Sequence, residues 1–315
     1  MSTNEKLTNA LKSLPLADSP ELAGALAEAN VPTLLAAYVH LSRDTAMLDR
    51  FAPHIKPAFS GEPTVIPDDL SEELRAKMRH LLTTGEGLHT DTPSDALMQQ
   101  IMSATVGEKV EDEFVDVVFD QCGFRPWIDR SKVASRPTPP ANFKVLVIGA
   151  GLTGMAAATK LREAGYDYVV IEKNSDVGGT WYENRYPGVG VDTPSHFYSF
   201  SWEIWPDWTH YHPQGVDMQR YLLSVADKYD LRDKVRFNTA VETLVYDEKS
   251  ATWTVTVRNA EGSHEDIVAN AVINGHGPVN RFKWPDIPGL HDFNGPVVHT
   301  ANWPADLDIR GKRVA

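Results

Sequence analysis

Cysteine is almost absent. Cys122 is the only one in 315 residues, so no intrachain disulfide can form, and a reducing compartment is expected. Long apolar runs are missing too. No stretch reaches the roughly 18 residues of a membrane span. The N-terminus is polar and mixed, without the apolar core of a signal peptide. Positive charge is scarce: 30 Lys and Arg stand against 43 Asp and Glu, for a net charge of −13. That balance argues against nucleic acid or an anionic membrane as the main partner. A metal cluster is also lacking. His210-x-His212 has a spacing that metals use, but no cysteine or acidic cluster joins it, so no metal is expected. A cytoplasmic protein is the expectation.

What is present is ordinary for a globular protein, at 42% hydrophobic and 23% charged residues, with room for roughly two domains. The first stretch, 1–134, reads as all-helical. Leu34, Tyr38 and Leu41 recur at helix spacing, as do Leu70, Leu74, Met78, Leu81 and Leu82. Leu97, Met98, Ile101 and Met102 form a third stripe, and Phe114, Val117 and Val118 a fourth. Ser71, behind Asp68 and Asp69 and ahead of Glu72 and Glu73, is the expected helix start there. No catalytic spacing occurs in this stretch. Its stripes are core faces, and any apolar surface left over makes this domain the candidate homodimer contact. Residues 135–141 carry Pro137, Pro139 and Pro140, which cannot continue a helix and favour an extended linker.

The element that organises the chain follows at once. Lys144–Ile148 is a short apolar run suited to a strand buried on both faces. Gly149-Ala150-Gly151-Leu152-Thr153-Gly154 matches G-x-G-x-x-G. An alanine-rich helix is expected from Met155 to Gly165, then a strand from Tyr168 to Ile171 that ends at Glu172. In such a βαβ unit, Gly149 permits the tight turn and Gly151 lets the backbone approach a pyrophosphate. Gly154 lets the helix pack on the strand, and the helix N-terminus offers free N–H groups. Glu172 stands near the spacing of the acid that holds ribose hydroxyls and disfavours a 2′-phosphate. The expected ligand is therefore a dinucleotide; FAD and NAD remain open at this point.

Beyond Asp192 the chain is aromatic, with Phe197, Tyr198, Phe200, Trp202, Trp205, Trp208 and Tyr211. A packed loop is the reading for this segment, with direct substrate contact as the alternative. A helix is expected over 214–229. Strands are expected over 235–238, 243–246, 253–257 and 267–274, the middle ones alternating.

Three motifs, in order, carry a resemblance. Gly178-Gly179-Thr180-Trp181 is followed by Tyr186-Pro187-Gly188 and Asp192. Phe293 to Pro304 then matches F-x-G-x-x-x-H-x-x-x-W-P at every fixed position, with His299 and Trp303. The chain resembles the Baeyer–Villiger flavoprotein monooxygenases over about 143–315. Its long leader looks most like the subgroup acting on 4-hydroxyacetophenone. The resemblance implies an α/β fold: a Rossmann-type FAD-binding domain over 142–304 with a β-meander inserted before the last parallel strand at 271–274, preceded by the helical domain. It implies FAD held by Gly149, Gly151, Leu152, Thr153 and Gly154, with Glu172 and Lys173 at the ribose. Gly179, Thr180 and Trp181 of the second glycine loop, with Asp192, Tyr198 and Val241, complete the expected set. Asp192 is implied as catalytic support, and His299 and Trp303 as fixing a linker. NADPH and O2 are the implied co-substrates and a ketone the substrate. The NADPH domain is expected to begin at 305–315, with most of its site, and an active-site arginine, beyond residue 315.

Overall fold

The chain divides into two compact units, Met1–Asp129 and Arg130–Ala315. A computed structural model describes residues 14–314 apart from 59, 123, 125–136, 206, 280 and 291. Ser135 and Arg136 of the expected linker lie outside the described residues.

The first unit is helical. It contains α1 (Pro20–Glu28), α2 (Val31–Ser42), α3 (Ala46–Phe51), α4 (Asp68–Thr84), α5 (Asp95–Val106) and α6 (Val115–Gln121). Caps start three of these helices. Ser19, Asn30 and Ser94 each accept a hydrogen bond from a first-turn N–H, and Pro20 occupies the first turn of α1. Leu34, Tyr38, Leu70, Leu74, Met78 and Leu81 meet in one core, joined by Phe51 and Ile101. Among the described residues no single helix is long and apolar enough to cross a membrane. The pair α1 and α2 passes that test only together, across a bend of 118°, and its Leu26, Leu34, Leu35 and Val39 are buried in this core.

Two expectations change here. The fourth stripe divides: Phe114 is 51% and Val117 is 38% exposed, whereas Val118 packs against the buried Val115 and Phe119. Asp112–Phe114 form a 3-10 turn, and α6 starts one residue later. The inward i, i+4 pair is therefore Val115 with Phe119, which packs against Met98. Ser71 does not open α4. The helix begins at Asp68, and Ser71 Oγ donates to the Pro67 carbonyl from inside the first turn. Asp68 and Asp69 put the acidic charge at the positive helix end instead.

The second unit is α/β. A parallel sheet has the order β3 (Val235–Arg236), β2 (Asp167–Ile171), β1 (Lys144–Ile148), β7 (Ala271–Asn274). Leu146 and Val147 are fully buried, as a central parallel strand requires. On one face Val145, Val147 and Val170 share a core with α7 (Leu152–Glu163) and α9 (Gly215–Lys228). On the other face Leu146 and Ile171 pack against Val255, Val257 and Ile267. Those belong to an antiparallel meander of β4 (Ala240–Asp247), β5 (Thr252–Arg258) and β6 (His264–Ala269). A short helix, α8 (Thr180–Glu183), opens the segment after the second glycine turn.

The strand expected over 267–274 is two strands in two sheets, with the last parallel strand at 271–274 as expected. Asn270 divides them: its N–H donates to the Lys144 carbonyl, and its Oδ1 accepts from the Lys144 N–H. The expected strand at 235–238 is shorter, because Asn238 takes a positive φ of 52° and turns toward Asn174. The helix after the fingerprint begins at Leu152 rather than Met155, since Gly151 is its N-cap residue. Residues 305–314 carry turns and no strand.

Candidate functional site

The carboxyl ends of β1, β2 and β7 bring the glycine segments together, the place where open α/β sheets hold ligands. Sheet hydrogen bonding runs into the loops. Gly149 N–H donates to the Ile171 carbonyl at 2.8 Å, and Gly275 N–H to the Ile148 carbonyl at 2.9 Å.

The three fingerprint glycines have different reasons to be glycine. Gly149 has φ +88°, and a Cβ there would lie 2.8 Å from the Gly275 carbonyl oxygen. A Cβ on Gly154 would lie 1.7 Å from the Gly149 carbonyl oxygen. Both are demanded by backbone packing. Gly151 is not: its φ is −80°, and a Cβ there would find only Gly179 atoms, the nearest at 3.4 Å. The fold alone leaves room for a methyl group at this position. Approach of a ligand to the backbone is what a side chain would obstruct.

α7 begins here without a side-chain cap. The first-turn N–H groups of Leu152 and Thr153 thus present the positive end of a twelve-residue helix. Glu172 follows the last residue of β2 and is only 3% exposed. Its Oε2 accepts from the Ala150 N–H at 2.6 Å and its Oε1 from the Asn174 N–H at 2.8 Å. Burial pushes its carboxyl above the ordinary glutamate range, and the two N–H bonds partly oppose that shift. Glu172 therefore braces the glycine loop, a role its spacing did not announce. Each carboxylate oxygen keeps a second lone pair for a hydroxyl. Lys173 is exposed and pairs with Glu183 at 2.9 Å.

The second glycine turn is clasped to the first. Gly178 N–H donates to the Ala150 carbonyl at 3.0 Å, and a Cβ on Gly179 would lie 2.9 Å from Gly151 Cα. Thr180 and Trp181 start α8 from this turn. Trp181 is buried against Tyr198, edge to face at 5.8 Å, and its Nε1 has no hydrogen-bond partner. A cleft of about 1120 Å³ opens beside it, lined by Trp181, Arg185, Asp192, His212, Gln219 and Arg220. Asp192 is exposed there. Val241 lies apart from this cleft, opposite Val257 in the meander, half-buried against the Leu146 and Ile171 side of the sheet.

The aromatic segment is packed, with two exceptions. Phe200, Trp205 and Trp208 surround Tyr221 of α9, while Phe197 and Tyr211 are 70% and 66% exposed. Tyr221 Oη accepts from the Phe200 N–H and donates to the Glu203 carbonyl. The Asp217 carboxylate faces His210 and Arg220, and His212 stands edge-on to Tyr211. Among the described residues no group of three His, Cys, Asp or Glu side chains could hold a metal. His299 Nδ1 accepts from the Ala301 N–H, its ring stacks on Phe282 at 4.5 Å, and Trp284 meets it edge-on. Gln219 and Tyr221 escaped the sequence reading because they lie on an ordinary amphipathic helix.

A family described as NAD(P)-binding Rossmann-like domain matches residues 147–212. An uncharacterized monooxygenase of Sinorhizobium fredii is 32% identical over 305 residues, 93% of this chain and 44% of that protein, an alignment that takes in the helical unit. A Baeyer–Villiger monooxygenase of Pseudomonas aeruginosa is 39% identical over 58% of this chain and 34% of its own length. An FAD-binding monooxygenase of Aspergillus terreus is 41% identical over 56% of this chain and 32% of its own length. The chain spans between about a third and under half of these relatives. The chain is thus similar to FAD-binding monooxygenases, Baeyer–Villiger monooxygenases among them.

Proposed function

We propose that the α/β unit holds FAD and is the flavin-binding part of an NADPH-using Baeyer–Villiger monooxygenase, which inserts one atom of O2 beside a ketone carbonyl to give an ester. The observation that carries this reading is Gly151. It is the one fingerprint glycine that backbone packing does not require, and it lies between an uncapped helix end and a second glycine turn. That arrangement fits a pyrophosphate, an anion that uses free N–H groups and the helix dipole. The relatives named for FAD and for Baeyer–Villiger chemistry support the choice of cofactor and reaction.

Bound FAD supplies the redox and oxygen chemistry. The chain's own residues do the rest. Gly151 lets the backbone close on the pyrophosphate, and the Leu152 and Thr153 N–H groups donate to it. The fingerprint loop is held by Gly149, Gly154 and the Glu172 carboxylate. Glu172 accepts from ribose hydroxyls with its spare lone pairs, and its buried charge repels a 2′-phosphate. Lys173 flanks the ribose, and Val241 contacts the adenine through its backbone. Gly179, Thr180 and Trp181 carry the chain past the pyrophosphate toward the cleft. Trp181 and Tyr198 shield one side from water. Asp192, exposed at the cleft, orients a cationic partner near the reacting atoms.

Around this reading stand narrower proposals. A helical domain over 1–134 is joined by a linker at 135–141 to an FAD domain over 142–304. An NADPH domain starts at 305–315. The helical domain carries a homodimer contact, the protein is cytoplasmic, the chain falls in the 4-hydroxyacetophenone subgroup, and the substrate is an aryl or aliphatic ketone. The test is the identity of the cofactor released by heat from the purified chain. Chromatography should show FAD; NAD, or no nucleotide after incubation with FAD, contradicts the proposal.

A further inference from the structure

The side chain of Gln219 leaves α9 and ends on the second glycine turn. Its Nε2 donates to the Val177 carbonyl at 2.8 Å. The opposite amide orientation would set two carbonyl oxygens against each other, so the assignment follows from the partner. Its Oε1 is buried and has no hydrogen-bond partner. That oxygen lies directly over Gly178, where a Cβ would come within 2.0 Å of it. One amide therefore covers Gly178, whose φ of +130° already favours glycine, and ties down the residue before it, since Val177 is fully buried.

The contacts continue into the fingerprint. Gly178 N–H donates to the Ala150 carbonyl, Ala150 N–H donates to Glu172, and Gly179 abuts Gly151. Gln219 thus stands at one end of a run of hydrogen bonds that sets the gap between the two glycine turns. Gln219 also lines the cleft that Trp181 and Asp192 share.

We infer that Gln219 is a positioning residue for the cofactor, holding the Val177–Gly179 turn at the separation from Gly151 that lets the pyrophosphate pass. This rests on the FAD reading above. A residue that served only to pack α9 would affect folding and leave affinity alone. Gln219 acts on affinity through the turn, so its loss weakens cofactor binding more than it weakens the fold.

Two near-isosteric variants of the full chain test this. Gln219→Met removes both polar atoms. Gln219→Glu keeps the shape but replaces the donor to Val177 with a carboxylate oxygen. FAD affinity is read by quenching of flavin fluorescence, the environment of the ring by visible circular dichroism, and the fold by thermal midpoint without cofactor. Both variants should bind FAD about tenfold or more weakly than the parent and show an altered flavin spectrum, with the cofactor-free midpoint within a few degrees. If Gln219→Met does not fold, Gln219→Glu carries the test. Parental affinity and spectrum in a folded variant overturn the inference. Absence of FAD binding by the parent chain overturns the cofactor reading itself, a different failure.

Discussion

Gly154 lies so close to Gly149 that a Cβ on it would sit 1.7 Å from the Gly149 carbonyl oxygen, the tightest approach at any glycine of the fingerprint. Gly151, three residues earlier and in the same loop, has only Gly179 atoms nearby, none closer than 3.4 Å to such a Cβ. The same motif therefore mixes glycines needed for folding with one left for a ligand.

Gly154→Ala should unfold or severely weaken the α/β unit. The clash is with backbone, which cannot swing away as a side-chain tip would, and overpacking of this kind costs about 3 kcal/mol or more. Urea denaturation measures it. A midpoint equal to the parent's would show that α7 can shift away from β1 freely.

Tyr221→Phe should cost about 1–3 kcal/mol, because it leaves the Phe200 N–H without its acceptor in a buried place. The ring contacts to Trp205 and Trp208, at 5.9 and 5.3 Å, remain. Tryptophan fluorescence should shift as the aromatic segment loosens, and the urea midpoint should fall. Unchanged values for both would remove Tyr221 as the anchor of that segment.

Glu172 gives a pH signature with a definite sign. Its folded pKa is raised by burial, so the folded state takes up a proton at a higher pH than the unfolded chain does. Around and below neutral pH, stability attributable to this group therefore rises as pH falls through the folded pKa, and the penalty is fully present above it. Other carboxylates here have lowered values and act oppositely, Glu73 and Glu265 among them. Comparison with Glu172→Gln isolates the effect. The parent should gain stability relative to the variant as pH drops from 7 into the weakly acidic range. A loss over that range would contradict the buried carboxylate.

The helical leader should survive as a fragment. Its core closes within its own helices, from Leu26 to Ile101. Limited proteolysis should cut near Arg136 and release an N-terminal piece with a helical circular dichroism spectrum. A strand-rich spectrum, or resistance throughout 135–141, would count against it.

The parts legible in the sequence were those in which neighbouring residues decide the outcome. Lys144 to Glu172 carries a strand pattern, a glycine turn and a helix in immediate succession, and each forms close to its expected limits. Apolar spacing located the helices and the inward face of the first three stripes, but not that of the fourth. Phe114 and Val117 share a period with Val115 and Phe119, and one 3-10 turn decides between them. In the run at 267–274 the last parallel strand at 271–274 was expected, but that Asn270 bridges to Lys144 where the chain changes sheets depends on β1 lying alongside. Glu172 was found by spacing, yet its bond to Ala150 depends on β2 and the loop meeting in space. Gln219 lies more than forty positions from Val177, and only the packing of α9 brings them together.

The most direct measurement is an FAD titration of the parent chain beside Gly151→Ala, followed by flavin fluorescence quenching, with far-ultraviolet circular dichroism and the thermal midpoint recorded on the same samples. Gly151 has an ordinary φ, and its nearest neighbour stands at van der Waals distance, so the variant should keep the parent's fold and midpoint. Its added methyl group occupies the path of the pyrophosphate, so FAD affinity should fall at least about tenfold, equivalent to about 1.4 kcal/mol. Equal FAD affinity in parent and folded variant would contradict the assignment of the glycine loop as the cofactor site.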